Sequence, residues 1–281
     1  MHITDFDATA PIVVVGAGRS GTTRLVGALG EHPDVYMINE TSFLLPRLWA
    51  AFHERPEFVR VIRLGQLARQ TRPDWRAMPW GTFWRDALGR DLAAAGPVLT
   101  DLEAVETTRL QRAFGAFFAE TLIPPSLRKP RWGFKEIWAG GDAFPYDWTL
   151  YRAAYPEAHY VQSIRHPLEF LSSYISNMRV PVPDEDGLVR ALRDWVAMVC
   201  HARSLRDTGR YVEFRMEDFD EAWPRILDAL ALPPDPTCLE AAAHRYVPSE
   251  RRDVPVRPAV IDRVDGLRAL AEELRYELPR S

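Results

Sequence analysis

The sequence predicts an α/β fold in which a mainly parallel sheet is flanked by helices. Three observations carry that expectation. First, Ile12-Val13-Val14-Val15 is a short β-branched run, preceded by Pro11, of the kind that forms a strand buried on both faces. Second, a glycine-rich turn from Gly16 to Gly21 follows it directly and feeds a helical stretch, Thr22 to Leu29, ended by Gly30 and Pro33. Third, later apolar runs alternate with helical ones, which implies parallel strands joined by right-handed crossovers. In such sheets ligands sit at the carboxyl ends of the strands.

The remaining elements follow in order. Ser42 to His53, Pro56 to Arg69 and Thr107 to Leu122 have helical patterns. Trp75, Trp80, Phe83 and Trp84 lie between them, as core aromatics or as the wall of a pocket. Pro124-Pro125 and Lys129-Pro130 break the pattern before a short strand, Trp132 to Lys135. His159 to Ile164 is the next strand, with Arg165 at its end. Pro167 suits the first position of the helix that runs on to about Asn177. A long helix, Leu188 to Leu205, precedes a late strand, Tyr211 to Phe214. Helices near Trp223 to Ala231, Thr237 to His244 and Ile261 to Tyr276 complete the chain.

Bulk properties narrow the function classes. The 281 residues are read as one domain, 1–281. A net charge of −4 argues against a general nucleic-acid binder, yet leaves room for a local basic pocket. Cys200 and Cys238 form no CxxC pair and read as reduced thiols. No run approaches the ~18 apolar residues of a membrane span. Met1 to Ala10 carries Asp5 and Asp7 and neither Lys nor Arg, so it does not read as a secretory signal. A cytoplasmic location without membrane association is the expectation.

The loop after the first strand reads Gly16-Ala17-Gly18-Arg19-Ser20-Gly21-Thr22-Thr23. Gly16, Gly21 and Thr23 match the spacing of the NTPase phosphate loop, GxxxxGK[ST], but Thr22 replaces its Lys and Arg19 supplies a cation inside the loop. Backbone N–H groups at the start of the helix, together with its dipole, favour an anion there. Ser20, Thr22 and Thr23 add hydroxyl donors. A plain strand-to-helix turn is the bland alternative.

This loop resembles the 5'-phosphosulfate-binding loop of sulfotransferases that use 3'-phosphoadenosine 5'-phosphosulfate (PAPS). The resemblance implies a sulfotransferase fold, PAPS as donor and PAP as product. It places Gly18, Arg19, Ser20, Gly21, Thr22 and Thr23 around the phosphosulfate, with Arg19 near the bridging oxygen. A second phosphate on the donor requires a second anion site. The family pattern is an Arg at a strand end and a Ser eight residues later, which here selects Arg165 and Ser173. A fork of guanidinium donors and a hydroxyl suit phosphate. His166-Pro167 also fits the pattern. The family's further cation one turn on is not reproduced, since Asn177 stands there and Arg179 follows. Phe214 to Phe219 is similar to the family's Tyr-Glu-Asp-Leu element, with Met216 in place of the Tyr near adenine. Arg251 and Arg252 read either as a cover over the donor or as a solvated loop.

Two further stretches resemble the catalytic layout of tyrosylprotein sulfotransferases. His32 to Thr41, with Pro46-Arg47 beyond, places Glu40 where the general base stands. A carboxylate at a strand-to-helix junction is also an ordinary helix N-terminal acid. Trp132 to Glu136 places Lys135 where a Lys stabilises the transferring group, with Glu136 as a less favoured base. The implied reaction is in-line sulfuryl transfer to a hydroxyl, with Glu40 as base and Arg19 and Lys135 offsetting charge, and with no metal required. A small molecule, carbohydrate or peptide hydroxyl would serve as acceptor, and the helix-rich stretch from about 50 to 130 would help shape its site. A phosphate-loop kinase and a non-catalytic nucleotide-binding module are the rival readings.

Overall fold

The computed structural model describes residues 6–41, 44–53, 96–138, 148–178, 182–245 and 254–280. Five strands form one parallel sheet: β1 (Ile12–Ala17), β2 (Val35–Glu40), β3 (Arg131–Trp138), β4 (His159–Ile164) and β5 (Tyr211–Arg215). Their order is β2-β3-β1-β4-β5, and each neighbouring pair is parallel. Strand β1 is therefore central, the place for a run with no polar face: Ile12, Val13, Val14 and Val15 are all fully buried.

Alternation along β1 splits its side chains between two cores. Ile12 and Val14 pack with Leu25 and Leu29 of α1 (Thr22–Glu31) and Trp223 and Ile226 of α7 (Phe219–Ala229). Val13 and Val15 pack on the other face with Phe118 of α3 (Gly96–Leu122), Tyr151 of α4 (Thr149–Ala154), Trp132 and Phe134. A third core joins α5 (Pro167–Met178), α6 (Glu185–Arg203), α9 (Pro258–Asp262) and α10 (Leu267–Glu273). The remaining helices are α2 (Leu44–His53) and α8 (Thr237–Arg245).

Several boundaries differ from the sequence expectation. β3 runs three residues past Lys135, so that Lys lies inside the strand rather than at its end. Helix α3 begins at Gly96, well before Thr107. The single helix expected over Ile261 to Tyr276 is two, because Gly266 takes a left-handed conformation (φ 76°) at the start of α10. Helix α4 was not expected. Pro56 to Arg69, the four aromatics from Trp75 to Trp84, Arg179, Arg251 and Arg252 lie outside the described residues. Among the described residues no helix is long and apolar enough to cross a membrane.

Candidate active site

β1 has β3 on one side and β4 on the other, so the chain order reverses across it. That topology opens a crevice at the carboxyl ends of the strands. The loop after β1, Lys135 on β3 and Arg165 after β4 all lie at this end.

The loop has the backbone of an anion cradle. Arg19 and Gly21 are both left-handed, with φ 73° and 82°. Left-handed residues in a turn bring successive N–H groups to one side, the arrangement called a nest. Gly21 is the N-cap of α1 and its carbonyl accepts from Arg24 N–H at 2.9 Å. Glycine is required there twice over. The conformation is one that L side chains rarely adopt, and a Cβ would lie 2.1 Å from Met216 Sδ. Ser20 and Thr22 are buried, and the Ser163 hydroxyl donates to the Ser20 carbonyl.

Register explains the neighbours of Lys135. It pairs with Val14, so its side chain leaves the sheet on the α1 face, whereas Glu136 pairs with Val15 and points to the aromatic core. Lys135 Nζ lies 3.5 Å from Thr23 Oγ1 and 3.5 Å from Glu40 Oε2. Lys135 is only 4% exposed, so it is not a solvated surface residue. Burial lowers its pKa, the Glu40 carboxylate pulls it back up, and Arg19 lowers it again. Glu40 sits at a register irregularity in the β2–β3 pairing, opposite Lys135, with its side chain 39% exposed. The base candidate is thus reachable, and the cation beside it is enclosed.

Glu136, the less favoured base of the sequence reading, has a different place. It is 1% exposed and accepts hydrogen bonds from Thr41 Oγ1 and, at 2.9 Å, from the Tyr151 hydroxyl. That enclosure on the aromatic side of the sheet sets Glu136 apart from the exposed Glu40. Thr41 N–H also donates to the Lys135 carbonyl at 3.2 Å, so the residue after Glu40 is tied to β3 twice.

The second expected anion site adjoins the first. Ser173 is fully buried on α5, and Arg165 is 6% exposed. Arg19 Nε donates to Ser173 Oγ at 3.2 Å, and Arg165 Nη1 donates to the Arg19 carbonyl at 3.2 Å. Arg165 Nε pairs with Glu169 at 3.1 Å. All the predicted site residues therefore fall at one end of the sheet. Sequence reasoning missed the layer behind them: Thr41, Tyr151 and Ser163. Only the first had a signal, its place next to Glu40. Met216 lies against Gly21, with the Ser163 hydroxyl directed at its sulfur at 3.7 Å.

A parallel sheet with a glycine loop at its switch point defines an open α/β fold of the kind that places its site at the carboxyl ends of the strands. The profile of the Sulfotransferase family matches residues 11–235, and the chain belongs to that family. Of three similar solved structures, the first supports the fold. A sulfotransferase domain from the Synechococcus PCC 7002 olefin synthase is 18% identical, with coverage of 99% of this chain and 100% of that one and a TM-score of 0.50. A sulfotransferase domain from the curacin biosynthetic pathway is 14% identical, covering 96% and 99%, with a TM-score of 0.49. Sulfotransferase STF1 of Mycobacterium tuberculosis H37Rv is 16% identical, covering 93% and 78%, with a TM-score of 0.46. No curated protein matches the sequence.

Proposed function

We propose that the chain transfers a sulfuryl group from PAPS to a hydroxyl acceptor. The observation that carries the reading is the position of Lys135, whose ammonium stands 3.5 Å from both the anion-loop hydroxyl of Thr23 and the Glu40 carboxylate. One cation thus links the place for a donor anion to the place for a base.

The residues present suit that donor. Gly18, Arg19, Ser20, Gly21, Thr22 and Thr23 would hold its 5'-phosphosulfate. Arg165 and Ser173 would hold its 3'-phosphate, and the enclosed guanidinium and hydroxyl match phosphate chemistry. When bound, PAPS supplies the activated sulfuryl group. Glu40 accepts the proton of the acceptor hydroxyl, and its exposure leaves it open to that partner. Lys135 and Arg19 offset the negative charge that builds on the transferring group and the leaving oxygen. Burial makes the field of Lys135 stronger than it would be in water, and that of the half-buried Arg19 less so. The similarity to tyrosylprotein sulfotransferases concerns this layout of base and cations, and the acceptor class stays as broad as hydroxyl compounds.

A thermal-shift titration with PAP beside ADP and ATP-magnesium tests the reading. PAP is expected to raise Tm most, because it alone presents a 3'-phosphate to Arg165. Stabilisation by ATP-magnesium alone would move the chain to kinase-like chemistry. Sulfation that persists in EDTA is the accompanying expectation for turnover, and a strict magnesium requirement would contradict it.

A further inference from the structure

Arg165 stands where the sheet has already ended. On the β1 side the pairing of β4 stops at Gln162, and on the β5 side it stops at Ile164. Among the described residues Arg165 itself has no register partner in either neighbouring strand. Three side chains from three other segments hold it instead. The single proton of the Tyr276 hydroxyl is shared between two acceptors, the Ile164 carbonyl at 3.1 Å and Glu217 Oε2 at 2.9 Å. Trp195 Nε1 donates to the Arg165 carbonyl at 3.2 Å. Glu217 Oε1 accepts from His166 N–H at 3.0 Å. The two peptide groups on either side of Arg165 are thereby held, the second of them through both its carbonyl and its N–H.

The segment that brings Tyr276 is itself fastened. Arg215 Nη1 donates to the carbonyls of Leu274 and Arg275 at 3.3 and 3.0 Å, and Arg215 also pairs with Asp218 at 2.7 Å. Its guanidinium lies 5.4 Å from the centre of the Tyr276 ring. His166 Nδ1 accepts from Leu168 N–H, so Nε2 carries the proton and donates to the Glu277 carbonyl at 2.9 Å. Burial, and next the Glu217 carboxylate, push the Tyr276 phenol well above its ordinary value, so it stays a donor. Residues 274–277 lie beyond the part of the chain matched by the family profile.

We infer that the C-terminal segment is a strap, in which Tyr276, acting with Glu217, is a positioning residue for the anion contact of Arg165. The inference rests on the assignment of Arg165 to the 3'-phosphate. A guanidinium works as a planar fork whose orientation decides how many of its bonds form. Its side-chain partners, the Arg19 carbonyl and Glu169, steer the fork only if the backbone beneath it stays in place.

Affinities for PAP and for 5'-AMP, which lacks the 3'-phosphate, test this by calorimetry in wild type, Tyr276→Phe and Glu217→Ala. Phe keeps the ring against His166 and Arg215, so Tm should move little. Tyr276→Phe is expected to weaken PAP binding by about 3- to 10-fold while AMP binding stays within about 2-fold, so the preference for PAP narrows. Glu217→Ala, from a different segment, should narrow it too. Equal losses for both ligands would show a general structural role, and an unchanged preference in both variants would show no role; either overturns the inference. A wild type that does not prefer PAP over AMP would refute the donor site itself, and the strap with it.

Discussion

Replacing Gly21 by Ala perturbs the anion loop at its tightest point, and its cost divides into two parts. The first is conformational. Gly21 has φ 82°, where a Cβ costs roughly 1–2 kcal/mol. The second is steric. The new Cβ would meet Sδ, Cγ and Cε of Met216 at 2.1, 2.7 and 2.9 Å, all closer than carbon and sulfur approach each other. A thioether can swing aside, but it then leaves the contact with the Ser163 hydroxyl and its packing on the loop. Such overpacking costs about 1–3 kcal/mol. Gly21→Ala should therefore destabilise the chain by about 2–5 kcal/mol, read by urea unfolding. In a Met216→Ala background the clash is gone and only the conformational part remains, about 1–2 kcal/mol. The two substitutions should couple by roughly 1–3 kcal/mol in a double-mutant cycle. If Gly21→Ala costs the same in both backgrounds, Met216 is not what closes on the loop, and the steric reasoning fails.

Other expectations concern the catalytic groups. Glu40→Gln should lower kcat by about 10²–10⁴ and leave PAP affinity nearly unchanged, since a general base acts on the acceptor; steady-state kinetics beside calorimetry separates the two. Lys135→Met should slow turnover without lowering Tm, because it removes an enclosed charge whose partner, Glu40, is partly exposed to water. Folded Lys135 has a pKa below its ordinary 10.5, chiefly through burial, so the unfolded chain holds the extra proton between those two values. The stability this amine takes away is thus regained as pH rises through that window, and the alkaline gain in urea midpoint should vanish in Lys135→Met. Arg165→Lys, which exchanges a fork for a point charge, should weaken PAP binding by about 10-fold and AMP binding far less, again by calorimetry.

The sheet and the loop were legible because their signals are local. Four β-branched residues bounded by Pro11 and a glycine turn can hardly form anything but a buried strand, and β1 occupies the centre of the sheet. The candidate site residues were legible as types: a loop cation, an acid before Thr41, a Lys in an aromatic run and an Arg after a strand. Their mutual distances were not. Lys135 was expected at a strand end, whereas it lies within β3, and its enclosure follows from β2 and β1 flanking it. Glu136 looked like a spare base because adjacency in sequence hides the alternation that sends it to the opposite face. Tyr276 and Trp195 gave no signal at all, since an aromatic on a helical or coil segment shows nothing of which carbonyl its polar tip will reach. The Gly266 break was written in the residue type, yet a glycine inside an otherwise helical pattern is compatible with a continuous helix.

The distribution of exposure within the site has a chemical consequence. Two of its three cations are enclosed: Lys135 is 4% exposed and Arg165 6%, while Arg19 is half-buried and the Glu40 side chain is 39% exposed. Enclosed cations cost the free chain stability, and an anion that arrives between them lowers that cost instead of adding desolvation of its own partners. In the proposed reaction the loop N–H groups, Lys135 and Arg165 would act on the donor from fixed positions, with little reorganisation required when charge shifts during transfer. The proposed base, Glu40, has the opposite need. It must meet acceptors from solvent and hold its proton only transiently, so an open carboxylate beside an enclosed ammonium is the suitable pairing. Thr41 allows both conditions in adjacent residues: its N–H and hydroxyl tie the end of β2 to Lys135 and Glu136, while the side chain one position earlier remains exposed.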